Sequence, residues 1–74
     1  MTRWLVITPE FEAVAEVYEF GTRYEWERDV VEVEAPTKRA ALVAGVREMR
    51  RQKMQWLRDC EGNPFTGLKA ELYE

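Results

Sequence analysis

The chain has 74 residues, of which 46% are hydrophobic and 34% charged, and its formal net charge is −3. This length allows one domain over residues 1–74, with a small core, because such a chain buries only about 60% of the surface it exposes when unfolded. The sequence has no histidine, no serine and one cysteine, which excludes Ser-His-Asp and Cys-His catalysis, an internal disulfide and a cysteine-based zinc site.

Residues 3–8, from Arg3 through Trp4, Leu5, Val6 and Ile7 to Thr8, are apolar and β-branched. They predict a central strand, which Pro9 ends. In residues 12–20, Val14, Glu16, Tyr18 and Phe20 alternate with Ala13, Ala15, Val17 and Glu19. That pattern predicts a second strand with both faces partly covered, although the Glu and Ala content also suits a helix. Phe20-Gly21-Thr22-Arg23-Tyr24 has the composition of a hairpin turn, with Gly21 as the residue free to take positive φ.

Beyond the turn, Tyr24 and Trp26 alternate with Glu25 and Glu27, and then the phase slips: Val31 and Val33 have the opposite parity. A β-bulge near Arg28-Asp29-Val30 restores the register, and so does a break into two short strands. Thr37 is a candidate N-cap for an Ala-rich helix that has no internal proline as far as Cys60. Gly62 stands where a C-capping glycine belongs, with Pro64 beyond it. A helix of that length, roughly 36 Å, is long for this chain, and a bend is expected near Gln52. In the tail, Leu68, Ala70 and Leu72 fall on one face of a last strand, although helix propensity there is also high.

At 100° per residue, Ala41, Leu42, Gly45, Met49, Trp56 and Cys60 share one sector of the helix, with Val46 at its margin. This is the predicted core stripe. It makes Trp56 a core residue and Cys60 a buried structural thiol, and it gives Gly45 the role of letting the helix approach the sheet. The opposite sector holds Arg39, Arg47, Arg50, Arg51 and Arg58, with Val43, Met54 and Leu57 among them.

Charge is divided along the chain. Residues 1–35 carry nine acids and three bases, residues 36–58 seven bases and one acid, and residues 59–74 four acids and one base. Either the two halves neutralise each other in the fold, or the basic stretch meets a partner. Arginines interleaved with apolar side chains are the composition of a protein interface. The same arginines could neutralise phosphates, but the helix has no helix-turn-helix neighbour and no asparagine to read adenine. The acids Glu25, Glu27, Asp29, Glu32 and Glu34 suit a solvated hairpin face and have no EF-hand spacing. No apolar run approaches the roughly 20 residues of a membrane span, the short apolar run after Arg3 does not read as a secretory leader, and the single cysteine suits a cytoplasmic protein, which is the expected setting.

The run from Val31 through Glu34, Ala35, Pro36 and Thr37 to Leu42, with the acid-rich hairpin and the Asn63-Pro64-Phe65 turn, resembles uncharacterised small proteins of actinobacterial phages. The likeness covers about half the chain and implies a viral accessory protein that binds a host protein. It transfers no site residue.

The expectation is therefore an α+β domain: an antiparallel sheet of three to four strands with one long helix on one face, ordered β-β-β-α with a last β. The expected function is non-enzymatic binding of a host protein through Arg39, Arg47, Arg50, Arg51, Met54 and Arg58, without cofactor or metal. The alternatives are nucleic-acid binding by the same arginines, or a homo-oligomer in which the acidic hairpin of one copy meets the basic helix of another.

Overall fold

The computed structural model describes residues 1–59 and 62–73. The fold is mixed α+β, with elements in the order β1 (Thr2–Ile7), β2 (Phe11–Tyr18), β3 (Gly21–Glu27), β4 (Val30–Ala35), α1 (Lys38–Arg51), α2 (Gln55–Asp59) and β5 (Lys69–Leu72). β1 is the central strand of an antiparallel sheet ordered β4-β1-β5, as its apolar sequence requires. β2 and β3 form a separate two-stranded sheet. The expected single sheet of three or four strands is thus two sheets, and the last strand is present.

The two sheets are successive stretches of one long hairpin. β1 and β4 pair from Thr2↔Ala35 to Ile7↔Val30, and β2 and β3 continue from Phe11↔Glu27 to Tyr18↔Gly21. Between them the ladder breaks at Pro9, which lacks the N–H a ladder needs. A clasp holds the junction: the Thr8 amide donates to the Asp29 carbonyl at 3.0 Å, and the Asp29 amide donates to Thr8 Oγ1 at 2.9 Å. Thr8 is buried there. The phase slip at residues 28–29 is therefore a break between two strands, one of the two devices expected. The β-bulge lies elsewhere, in β2, where the register shifts between Val14 and Glu16.

The β2–β3 arm projects. The principal extents are 49 × 27 × 19 Å, and the radius of gyration is 13.9 Å, against about 11 Å for a compact chain of this length. Every residue of β3 is exposed. The two covered faces expected for residues 12–20 are not found beyond Ala13, because no layer packs over the arm. Gly21 opens β3 and is not at positive φ; Glu19 and Phe20 make the turn.

α1 packs on β4, β1 and β5 through Ala41, Gly45, Val46 and Met49, the predicted stripe. Thr37 caps it, its side chain accepting from the Ala40 amide at 3.2 Å. Val6, Val31, Ala35, Ala41, Met49, Trp56 and Ala70 make the core. The three tryptophans divide: Trp56 is buried, and Trp4 is half-buried and donates from Nε1 to the Ala35 carbonyl at 3.1 Å, whereas Trp26 is 66% exposed.

The single helix to Cys60 is corrected. α1 stops at Arg51, and α2 begins at Gln55. The stop is a Schellman motif: the Lys53 amide donates to Arg50 O at 3.1 Å and the Met54 amide to Met49 O at 3.1 Å, with Lys53 at φ 54°. The expected bend at Gln52 is this break. Cys60 lies outside the described residues.

Candidate functional site

The break in the helix forms the site. Beyond the turn at Gln52–Met54, residues of α1 and α2 together line an open cleft of about 410 Å³. Its apolar lining is Met49, Met54, Leu57 and Pro64, and its charged lining is Arg50, Lys53 and Arg58. Among the described residues, no carboxylate lines it. Met54 and Leu57 are half-buried, so the cleft has an apolar floor under a cationic rim.

Lys53 is held there at a cost. A non-glycine residue in the left-handed region loses about 1 kcal/mol relative to an ordinary backbone conformation. Glycine is the usual occupant of this position in a Schellman motif, and it would make the same backbone hydrogen bonds without strain. What glycine lacks is the ammonium group that Lys53 brings to the cleft. Strained residues persist where the side chain serves a purpose.

The six candidate residues separate into groups. Arg50, Met54 and Arg58 meet at the cleft. Arg39 lies near the other end of α1, beside a smaller apolar recess of about 310 Å³ lined by Leu42, Val43 and Phe65. Arg47 is exposed on the helix between them. Arg51 is withdrawn from the set: its Nε donates to Glu48 Oε2 at 3.0 Å, and its Nη2 donates to Glu48 Oε1. Gln52 Nε2 adds a third hydrogen bond to that carboxylate at 2.7 Å. These donors hold the Glu48 carboxyl at a pKa of about 2 and raise that of Arg51. Among the described residues, Arg39, Arg47, Arg50, Lys53 and Arg58 make no ion pair.

The basic helix is not neutralised by the acidic half of the same chain. Arg3 lies between Glu32 and Glu34 at 3.6 and 3.7 Å, Arg23 between Glu16 and Glu25 at 2.9 and 3.2 Å, and Arg28 beside Glu10 at 3.1 Å. Every ion pair among the described residues stays within the strands and their junction or within α1. Lys38 and Arg39 also stand in the first helical turn, where no acid is present. Acids are the stabilising choice there, because the helix dipole is positive at that end.

Sequence reasoning missed Lys53 and Pro64, which the chain reversal carries to the cleft from outside the regular helix. A second feature was also missed. Cross-strand partners share a face, so the register puts Trp26 with Glu12, Tyr24 with Val14 and Thr22 with Val17 on one side of the arm. The bulge at Ala15 is what brings Val14 and Val17 to the same side. On the other face lie Glu16, Arg23, Glu25 and Glu27, with the Tyr18 hydroxyl donating to Glu16.

No family model, curated protein or solved structure matches the chain. Among the described residues, no helix is long and apolar enough to cross a membrane.

Proposed function

We propose that the chain is a non-enzymatic binding protein whose cleft between α1 and α2 takes an apolar side chain flanked by carboxylates on a partner protein. The observation that carries this reading is Lys53, strained at φ 54° on the rim of an apolar cleft that also bears Arg50 and Arg58. Cations over an apolar floor select acidic, amphipathic segments, because each opposite charge steers association and a buried apolar anchor supplies affinity. Arg39 and Arg47 extend the same basic face along α1. The resemblance of residues 31–42 to small actinobacteriophage proteins makes the partner a host protein and the setting the host cytoplasm.

Capture from host lysate, with and without nuclease, compares the wild-type chain with Arg50→Ala/Met54→Ala/Arg58→Ala. One stoichiometric protein that survives nuclease and is lost by the variant is the expected result. Captured material that disappears with nuclease, with affinity falling steeply as salt rises, would transfer the arginines to nucleic-acid binding.

A further inference from the structure

The β2–β3 arm carries an apolar face that no described residue of its own chain covers. Trp26 is 66% exposed, Tyr24 57%, Val14 47% and Val17 76%, and all four lie on one side. Phe20, at the turn, is 96% exposed. A lone two-stranded hairpin is marginally stable in water, and a contiguous apolar patch of this kind marks an interaction surface.

Charge identifies what covers it. The arm, residues 11–27, carries five acids and one base. That base, Arg23, is already engaged by Glu16 and Glu25. On the Trp26 side Glu12 lies near the root of the arm and Glu19 stands at its turn, and neither makes an ion pair among the described residues; Glu16, Glu25 and Glu27 lie on the other side. The chain's complementary surface is the outer face of its own helices, with Arg39, Arg50 and Arg58 unpaired among the described residues and beside the two apolar recesses. Face-to-face stacking of two arms would instead oppose like charges.

Length agrees as well. The eight-residue β2 spans about 27 Å, and the fourteen-residue α1 about 21 Å before α2 extends the surface. Covering one arm face removes about 500 Å². Two reciprocal contacts around a two-fold axis bring the total to about 2,000 Å², within the range of a specific dimer.

We propose that the chain self-associates by reciprocal arm exchange, the Trp26 face of each arm lying across the helix face of a second copy. This rests on the reading of that helix face as a docking surface and names its occupant as the acidic, aromatic arm of another copy.

The test is sedimentation velocity on the full chain across concentration, with two charge-reversed variants: Glu12→Lys/Glu19→Lys and Arg39→Glu/Arg50→Glu/Arg58→Glu. All five positions are exposed and unpaired among the described residues, so both variants are expected to keep the wild-type circular dichroism. The wild type is expected to dimerise, and each variant alone to weaken dimerisation about 100-fold, since both contacts in either homodimer then oppose like charges. An equimolar mixture is expected to recover the dimer, because one contact is wild type and the other reversed on both sides.

A monomeric wild type at all concentrations overturns the proposal. So does a dimer that the helix variant leaves intact, which would indicate arm-to-arm stacking. Binding of an acidic amphipathic peptide to the cleft of a monomeric protein would leave the proposed function standing while the dimer reading fell.

Discussion

Gly45 of α1 lies so close to Val6 of β1 that a Cβ at position 45 would be 2.5 Å from Val6 Cγ1 and 2.7 Å from Val6 Cβ. Val6 is fully buried and β-branched, so it has no rotamer into which to retreat. This contact sets the height of the helix over the central strand.

Gly45→Ala is therefore expected to destabilise the fold. Overpacking costs about 1–3 kcal/mol, which outweighs the gain of about 1 kcal/mol in helix propensity. Thermal denaturation is expected to show a fall in Tm of several degrees, and adding Val6→Ala is expected to recover part of it. A Gly45→Ala protein at least as stable as the wild type would contradict the close approach.

Lys53→Gly is expected to separate stability from binding. Relieving the left-handed strain stabilises the fold by about 0.5–1 kcal/mol, seen as a raised Tm. Losing the ammonium group is expected to weaken capture of an acidic partner several-fold. If both properties fall together, Lys53 serves the backbone and not the cleft.

Glu48 links the helix end to pH. Its folded pKa of about 2 lies below the ordinary 4.5. The stability it contributes is therefore present above about pH 4.5 and is lost as pH falls toward about 2. The Tm difference between wild type and Glu48→Gln is expected to shrink over that interval and to stay constant from pH 6 to 8. The same substitution releases Arg51 to the basic face and is expected to tighten binding of an acidic probe at neutral pH.

The arm depends on its root. Thr8→Val keeps the shape of a buried side chain but removes the acceptor for the Asp29 amide. An unsatisfied donor there costs about 1–3 kcal/mol. Hydrogen exchange is expected to rise first in residues 10–29, with the β1–β4 ladder still protected. Uniform loss of protection would mean that the arm and sheet unfold as one unit.

Much of the fold was legible because local signals agreed with tertiary packing. The apolar run at Val6, the Thr37 cap, the stripe of Ala41, Gly45 and Met49, and the last strand around Ala70 all occur as the pattern predicts. The failures have particular causes. Helix length alone gave the bend near Gln52, but a helix-compatible pattern continues through Lys53, so that the bend is a full stop shows only in backbone hydrogen bonding to Arg50 and Met49. The aromatic face of the arm was hidden because Val14 and Val17 have opposite parity, and a one-residue bulge at Ala15 unites them. For the candidate site, Arg50, Met54 and Arg58 could be found from helical spacing. Arg51 could not be discounted that way, because its engagement by Glu48 depends on rotamers at the helix end.

The most direct measurement is titration of a fluorescent peptide, one leucine flanked by glutamates, onto the Glu12→Lys/Glu19→Lys protein, chosen so that the arm of another copy does not compete for the cleft. Saturable binding that Arg50→Glu/Arg58→Glu abolishes, while an arginine-flanked peptide fails to bind, is the predicted result. Equal binding of both peptides, or binding indifferent to Arg50 and Arg58, would contradict the assignment of the cleft as an acidic-segment site.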